Sequence, residues 1–217
     1  GLRPFVYTIT PFTTTRCFEQ IRVDACYHHV PVVIVGTGSG LSYAELGPTH
    51  HSLEDMAILR TLPGMRVLAP CDATELRLAL RAVLNDDSPT YIRIGKKGEP
   101  DIHQAPPEFK IGKAIVIRPG NDVSLMCAGN MMGETIKASE LLAAAGVSAE
   151  VVSFHTVKPL DTGYLAHAAS KFRLLAAIEE HSIIGGFGSA VAEWKAASGV
   201  STPQLAFGTR DEFMHEV

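Results

Sequence analysis

Residues 30–36 read VPVVIVG, a largely β-branched run that ends in glycine. Such an unbroken apolar run is typical of a strand that is buried on both faces in a parallel sheet, whereas a half-exposed strand would alternate apolar and polar residues. Upstream, Pro4–Ile9 suits a strand, and Thr14–His29 carries apolar residues at helical spacing. A polar, glycine-rich loop follows at 37–51. The chain is therefore predicted to open with strand, helix and buried strand.

The alternation of strand and helix continues along the rest of the chain. The strongest helix signal begins at Asp72, which has capping-box spacing to Glu75 and precedes an apolar stripe from Leu76 to Leu84. Further strands are predicted at Met65–Ala69, Thr90–Ile94, Ala114–Ile117, Asp122–Cys127, Ala149–Phe154 and Leu174–Ile178, and further helices at Ser52–Arg60, Met131–Ala145, Asp161–Ala169 and Ser189–Ser198. Repeated alternation predicts the α/β class with mostly parallel sheets.

A segment rich in chain breakers divides the sequence into two halves. Gly95–Gly112 contains three glycines and three prolines and shows no apolar period, so it is predicted to be a linker. We expect a first domain at residues 1–97, a linker at 98–112 and a second domain at 113–217. Each domain is expected to have three layers, with helices on both faces of a mostly parallel sheet.

Open sheets of this kind bind ligands beyond the carboxyl ends of their strands, which directs attention to the segments after Ile9, Gly36 and Ile94. The loop after Gly36 carries the adjacent histidines His50 and His51 before a predicted helix. Adjacent side chains on a turn diverge, so joint metal binding is disfavoured and no metal site is predicted. From the residues alone, proton transfer and a solvated loop remain open alternatives.

Composition excludes several classes of protein. The 217 residues are 46% hydrophobic and 19% charged, with a formal net charge of -4 and no basic stripe, which excludes disorder and disfavours nucleic-acid binding. The longest apolar run, Val30–Val35, is far short of a membrane span. None of the four cysteines forms a CxxC motif, and they are expected to be reduced thiols in a cytoplasmic protein. These are Cys17, Cys26, Cys71 and Cys127.

An ordered series of motifs resembles one enzyme family over nearly the whole chain. The first half of the series resembles the pyrimidine-binding domain of the transketolase family of thiamine diphosphate enzymes, and the second half resembles its C-terminal domain. In the first half the motifs are Pro4–Thr8 (PFVYT), Phe18–Asp24 (FEQIRVD), Gly47–His50 (GPTH), Leu62–Met65 (LPGM) and Ala69–Asp72 (APCD). In the second half they are Thr156–Asp161 (TVKPLD), Glu179–His181 (EEH) and Gly185–Glu193 (GGFGSAVAE).

The resemblance implies a C-terminal half or subunit of an enzyme that transfers a two-carbon ketol unit between sugar phosphates. The cofactor would be thiamine diphosphate, with its diphosphate and magnesium on an N-terminal partner chain or domain and its aminopyrimidine on this chain. Pairing of two copies of this chain is also expected. The alternatives are a 2-oxo acid dehydrogenase β subunit, a deoxyxylulose phosphate synthase-like enzyme, and a non-catalytic assembly subunit.

The resemblance also assigns site residues by position. Phe12 corresponds to the aromatic residue that stacks on the aminopyrimidine, and Ile9 corresponds to another wall of that pocket, at a position where aromatics are common. His50 matches the histidine that contacts the substrate oxygen and assists proton transfer. His51, where glutamine is common, is a weaker candidate for substrate contact.

Two basic residues after the last strand of the first half are candidates for holding a substrate phosphate. Lys96 aligns with a phosphate-binding arginine, and lysine keeps the charge but loses the bidentate fork. Arg93 is a second candidate, and its alternative is local pairing at the strand end. By contrast, His181 is expected to be structural or to lie at a domain contact.

The chain departs from the family pattern at two positions. Leu46 stands where an aspartate usually reads a donor hydroxyl, and leucine accepts no hydrogen bond. Gly38 stands where some transketolases have a phosphate-binding histidine. The family's activating glutamate would lie before Gly1, and relatives continue beyond the last residues of this sequence, so both ends are expected to be truncated.

Overall fold

The computed structural model describes residues 2–215 and contains ten strands. The strands follow one another along both halves of the chain, as the sequence predicts, although two of them had no recognisable sequence signal. In chain order they are β1 (Phe5–Ile9), β2 (Val33–Thr37), β3 (Arg66–Leu68), β4 (Thr90–Arg93), β5 (Ile115–Arg118), β6 (Val123–Ala128), β7 (Ala149–Ser153), β8 (Thr156–Lys158), β9 (Leu175–Ser182) and β10 (Gln204–Thr209). The strands that the sequence analysis missed are β8 and β10.

The strands form two five-stranded sheets, each mostly parallel. The first sheet has the order β1-β2-β4-β3-β8 and the second has the order β10-β9-β6-β7-β5. All pairings are parallel except those of β8 with β3 and of β5 with β7, which are antiparallel. The predicted α/β class is therefore confirmed, with one antiparallel edge strand in each sheet.

Seven α-helices in the described residues connect and cover the strands. They are α1 (Thr10–Thr13), α2 (Phe18–Gln20), α3 (Asp55–Arg60), α4 (Ala73–Val83), α5 (Met132–Ala144), α6 (Thr162–Lys171) and α7 (Phe187–Ser198). Short 3-10 segments lie at Thr15–Cys17, Ala44–Thr49 and Gly129–Met131, and a π-helical segment lies at Ile21–Tyr27. Within residues 2–215, no helix has the length and apolar character that crossing a membrane requires.

Burial of β2 on both faces explains why its sequence is an unbroken apolar run. Val33 and Val35 pack with Ala79 of α4, whereas Ile34 lies on the opposite face in a cluster with Met56 of α3. The second sheet is covered in the same way, by α5 on one face and by α6 and α7 on the other. Both sheets are thus the middle of three layers.

The largest apolar cluster joins the two halves of the chain. It includes Met56 of α3 from the first half together with Leu165 of α6 and Phe187 of α7 from the second half, and all three side chains are fully buried. Strand β8 reinforces this junction because it belongs to the second half but pairs antiparallel with β3 of the first sheet. The predicted second domain therefore contributes a strand to the sheet of the first.

The prediction of one continuous helix at Thr14–His29 is wrong. Helical structure begins at α1 and then passes through a 3-10 turn, α2 and a π-helical segment. Thr14 lies outside helical geometry, with φ -117° and ψ -81°. The hydroxyl groups of Thr13 and Thr14 both donate to the carbonyl of Thr10, at 3.1 Å and 2.7 Å, and such side-chain bonds compete with the backbone ladder.

The linker is fastened to the amino end of α4. Asp72 caps the helix by accepting the N–H of Glu75 at 2.8 Å, as its capping-box spacing predicts. Its second oxygen accepts the N–H groups of Ile102 and His103, at 3.0 Å and 3.1 Å. The ring of His103 lies 3.0 Å from the carboxylate of Glu75, and this hydrogen bond raises the pKa of His103. One helix cap therefore also holds the linker.

The His103–Glu75 contact predicts a pH-dependent contribution to stability. Because the folded-state pKa of His103 is raised above its ordinary value of 6.5, the stabilisation is fully present below that value and is lost as pH rises through the folded pKa. Urea unfolding of wild type and His103→Gln should differ by on the order of 1 kcal/mol near pH 6 and converge in alkaline solution. The control is His28→Gln, which replaces an exposed histidine. A difference that does not change with pH would contradict the ion pair.

Candidate functional site at the carboxyl ends of the first sheet

Three loops meet where adjacent parallel strands of the first sheet end. Strands β1, β2 and β4 are neighbours, so the segments that follow Ile9, Thr37 and Arg93 lie side by side. The hydroxyl of Thr10 donates to the Thr37 carbonyl at 3.0 Å, and the N–H of Gly38 donates to the Gly95 carbonyl at 3.2 Å. These bonds hold the loops together at the position where ligands bind in open α/β sheets.

A row of rings and a cation crosses these loops. The rings of Phe12 and His50 meet edge to face with centroids 5.3 Å apart, and the ring of Tyr43 lies 5.7 Å from that of His50. The ammonium group of Lys96 lies 4.6 Å from the centroid of Tyr43. The structure thus brings together Phe12, His50 and Lys96, which the sequence analysis selected separately. We refer to Phe12, Tyr43, His50 and Lys96 as the ring cluster.

Local hydrogen bonds favour one tautomer of His50. The hydroxyl of Thr49 donates to the Leu46 carbonyl at 3.3 Å and lies 2.9 Å from Nδ1 of His50. Assigning the single hydroxyl proton of Thr49 to the Leu46 carbonyl makes Thr49 the acceptor of Nδ1–H and leaves a lone pair on Nε2 of His50. Among residues 2–215, Nε2 of His50 has no hydrogen-bond partner. This nitrogen can accept a proton or a hydrogen bond from a ligand.

The neighbouring candidates His51 and Ile9 have different surroundings. His51 is buried, and its Nε2 donates to the Ala44 carbonyl at 2.8 Å, so the ring braces the 3-10 turn that precedes His50. It also lines a cavity of about 360 Å³ with Leu53 and Ser182. Ile9 is half-buried at the end of β1, directly before the helix that carries Phe12.

Tyr43 is the member of the ring cluster that the sequence analysis missed. It packs over Gly38, whose φ is +68° and where a Cβ atom would collide with the tyrosine ring. The ring therefore fills the space that a side chain at position 38 would need. An aromatic residue within an otherwise small and polar glycine-rich loop was the signal that could have identified it. Leu46, the other departure from the family pattern, is largely exposed in the same loop.

Lys96 is exposed and lines a polar cavity beside the ring cluster. The cavity has a volume of about 210 Å³, and Thr37, Asp72 and Asn130 contribute to its wall. The adjacent Lys97 lines a second depression with Lys96 and Asn130. The two ammonium groups can attract an anion, although the carboxylates of Asp72 and Glu99 line the same depressions and offset part of that charge. Each ammonium group also acts as a point charge without a planar fork.

The proposed phosphate contact of Arg93 needs correction. Arg93 is 2% exposed, and its Nε donates to Asp55 at 2.8 Å while Nη2 donates to the carbonyls of Ser52 and Glu180. Tyr91 donates to the same oxygen of Asp55 at 2.6 Å. The guanidinium lies inside the protein and pairs locally, which is the alternative that the sequence analysis left open. A buried carboxylate 38 positions away gave no signal in the sequence.

A second group of titratable side chains lies outside the ring cluster. The candidate ligand atoms of Cys71, Glu75 and His103 lie within 4.8 Å of one another. Glu75 and His103 already bind each other, and Glu75 also accepts the N–H of Cys71 at 2.8 Å. Burial raises the pKa of the Cys71 thiol and keeps it protonated, whereas a metal ligand must be a thiolate. We therefore interpret this group as the anchor of the linker.

The fold and the ring cluster define a class: α/β proteins with two mostly parallel sheets and a candidate site at the carboxyl ends of the strands of the first sheet. The sequence model of the transketolase pyrimidine binding domain matches residues 1–99, and that of the transketolase C-terminal domain matches residues 112–216. The chain belongs to the transketolase family.

Its relatives include subunits of transketolases. The chain is 37% identical to a 6-deoxy-6-sulfo-D-fructose transketolase subunit, SqwH, from Clostridium sp. strain MSTE9, over 98% of this chain and 66% of the relative. It is 35% identical to one of the subunits of an apulose-4-phosphate transketolase from Phocaeicola vulgatus, over 98% and 68%. The chain therefore spans about two thirds of the length of these relatives.

A solved structure has a closely similar fold. It is described as a split-gene transketolase in an inactive beta4 tetramer. It superimposes with a TM-score of 0.89 at 34% identity, over 97% of this chain and 68% of the other. The recognition of the family and the predicted fold are thus confirmed.

Loss of the buried partner of Arg93 should destabilise the protein strongly. The pKa of Asp55 is lowered by the Arg93 guanidinium, so the carboxylate is ionised at neutral pH. Asp55→Ala would leave a buried cation without its counter-charge and should lower the unfolding free energy by about 3–5 kcal/mol. Glu19→Ala removes an exposed ion pair with Arg22 and should cost less than about 1 kcal/mol. Equal effects of the two substitutions in urea unfolding at pH 7 would refute this role.

Proposed function

We propose that this chain provides the pyrimidine-side half of a thiamine diphosphate-dependent, transketolase-like active site. The enzyme would transfer a two-carbon ketol unit between sugar phosphates. The observation that carries the proposal is the ring cluster, in which Phe12, Tyr43, His50 and Lys96 lie together at the ends of parallel strands. An aromatic face, a titratable ring and a cation suit a heteroaromatic cofactor and an anionic substrate.

Phe12 and Ile9 fit an aminopyrimidine ring. Phe12 is half-buried, and the guanidinium of Arg16 lies 4.2 Å from its centroid over one face while His50 meets it edge to face. Phe12 would hold the aminopyrimidine by aromatic stacking, and Ile9, at the end of β1, would contribute an apolar wall. When bound, the cofactor supplies the carbon nucleophile that attacks a carbonyl group, and the protein supplies orientation and proton handling.

His50 and Lys96 would act on the substrate. With Nδ1–H directed to Thr49, His50 offers the Nε2 lone pair to the substrate hydroxyl and accepts its proton. Lys96 would attract the anionic end of the acceptor at the edge of the polar cavity. His51 would support this arrangement through the Ala44 carbonyl, so its contribution to substrate binding is indirect.

The remaining half of the site would come from a partner. We infer that an N-terminal, diphosphate-binding chain or domain provides the diphosphate and magnesium ligands. Support comes from the two relatives that are named as subunits, of which this chain spans about two thirds. Two copies of this chain would also pair, and the structural neighbour with this fold is itself described as a tetramer. The active enzyme would therefore contain both kinds of chain.

Cofactor binding provides the first test. Calorimetric titration of the full-length protein with its diphosphate-binding partner and Mg²⁺ should give saturable thiamine diphosphate binding. Phe12→Ala should weaken that binding about tenfold because a stacked aromatic contact is lost. Phe207→Ala, which removes an exposed phenylalanine on β10, should leave it unchanged. If thiamine diphosphate binds neither to this protein alone nor to this protein with its partner, a catalytic role is excluded and the assembly subunit is favoured.

Turnover provides the second test. With fructose 6-phosphate as donor and ribose 5-phosphate as acceptor, His50→Gln should lower kcat by about 100-fold or more, with cofactor affinity retained. His167→Gln on the exposed face of α6 is the matched control. Turnover of pyruvate instead of the ketose phosphate would support a deoxyxylulose phosphate synthase-like enzyme or a 2-oxo acid dehydrogenase β subunit. Unchanged kcat in His50→Gln would remove His50 from the mechanism.

A further inference from the structure

The end of β9 carries three consecutive polar residues that hold three different elements. Glu179 accepts the N–H groups of Phe187 and Gly188, at 2.6 Å and 2.8 Å, and so caps α7. His181 donates from Nδ1 to the Ser182 carbonyl, which leaves Nε2 to accept the N–H of Ala57 at 3.3 Å. The flanking residues therefore fasten this strand to α7 and to α3.

Glu180, between them, reaches the loop that contains His50. Its Oε1 accepts the N–H of Leu41 at 3.3 Å, and its Oε2 accepts a bond from the amide of Asn130. The carboxylate lies against Gly40, whose φ is +66° and where a Cβ atom would collide with it. Its backbone carbonyl is held in turn by Arg93. A glycine at position 40 thus permits the close approach of a side chain from the second half of the chain.

The contact lies at the base of the His50 loop, which we define as residues 38–51. Reciprocal backbone bonds between Gly40 and Ser52, at 3.0 Å and 2.9 Å, close the loop. The Ser39 hydroxyl donates to the Ile94 carbonyl at 2.9 Å, which ties the loop to the end of β4. Among the described residues, the Leu41–Glu180 bond is the one hydrogen bond that joins this loop to the second half of the chain.

We propose that Glu180 is a positioning residue for His50. Through the Leu41 N–H it fixes the base of the His50 loop, and the loop holds the imidazole against Phe12. The C-terminal domain thereby acts on the reaction without touching the substrate. The catalytic part of this inference rests on the proposed function, whereas the effect on the loop does not. A displacement of a catalytic group by about 1 Å can lower a rate up to 100-fold, so a single anchor at the loop base is sufficient to matter.

Two conservative variants separate the reach of the side chain from its charge. Glu180→Gln keeps the length and the oxygen that accepts the Leu41 N–H but loses the charge. It also presents an NH2 group to Asn130, whose Oδ1 has no other hydrogen-bond partner among the described residues and can accept from it once the Asn130 amide flips. Glu180→Asp keeps the charge but is one methylene too short to reach Leu41. Glu193→Asp is the matched control, because Glu193 also joins the two halves, through an ion pair with Arg60 of α3, but makes no hydrogen bond to the His50 loop among the described residues. All three should retain the wild-type unfolding midpoint within a few degrees.

Hydrogen exchange in the full-length protein tests the loop directly. Glu180→Asp should reduce protection of the Leu41 amide by about tenfold, a change that corresponds to the loss of one hydrogen bond. Glu180→Gln and Glu193→Asp should leave it within about threefold of wild type. Unchanged protection in Glu180→Asp would overturn the proposal, because the Leu41 amide would then not depend on the reach of the side chain. Equal loss of protection in Glu180→Gln would also overturn it, because charge rather than reach would then be responsible.

Turnover with the partner chain, using fructose 6-phosphate and ribose 5-phosphate, tests the consequence. Glu180→Asp should lower kcat by about 10- to 100-fold with little change in the affinity for thiamine diphosphate, and Glu180→Gln should retain most of the activity. Normal kcat with a deprotected loop would overturn the positioning role. If wild type has no turnover, the proposed function fails, and the exchange experiment still decides whether Glu180 anchors the loop.

Discussion

The buried pair of Arg93 and Asp55 determines how the site is assembled. Removing both charges from water is costly, and the Coulomb attraction offsets that cost only when further hydrogen bonds satisfy the buried groups. Arg93 supplies such bonds by donating to Oδ2 of Asp55, to the Ser52 carbonyl and to the Glu180 carbonyl, whereas Oδ1 of Asp55 is buried without a hydrogen-bond partner among the described residues. One guanidinium therefore connects β4, the beginning of α3, the closure of the His50 loop and the end of β9. The positions of the loop and of the second domain are coupled through it.

This coupling assigns different tasks to the two basic residues at the end of β4. Arg93 points into the protein, where its planar fork matches several acceptors at once. Lys96 follows the strand on the exposed side and lies over the ring of Tyr43. Arg93, whose planar fork has the better geometry for phosphate, thus has a structural role, whereas Lys96, which is a point charge, remains at the surface. Under the proposed function, a phosphate contact would therefore depend on the ammonium group of Lys96, with the rings of the ring cluster beside it.

Much of the fold could be predicted from local sequence patterns. The apolar run before Gly36 predicts a strand buried on both faces, and α4 begins at its predicted cap, Asp72. Two strands were missed for a physical reason: β8 has three residues and is defined by its pairing with β3, and β10 is mostly exposed at a sheet edge. The prediction of a single helix after β1 was wrong because the threonine side chains compete for backbone acceptors, and the spacing of apolar residues does not indicate this competition.

The candidate site was only partly predictable, because its members differ in how they are held. Phe12, His50 and Lys96 could be selected by their positions in ordered motifs, although nothing in the sequence showed that Tyr43 would lie between His50 and Lys96. The ring of Tyr43 takes the space above Gly38, and this pairing exists only in the folded loop. Arg93 was assigned to the wrong partner for the same reason, since its contacts come from α3 and from β9. A residue's motif predicts its place along the strand end, but the direction of its side chain depends on distant acceptors. The same argument applies to Glu180, whose motif identifies the end of a strand and whose carboxylate acts on a loop of the other domain.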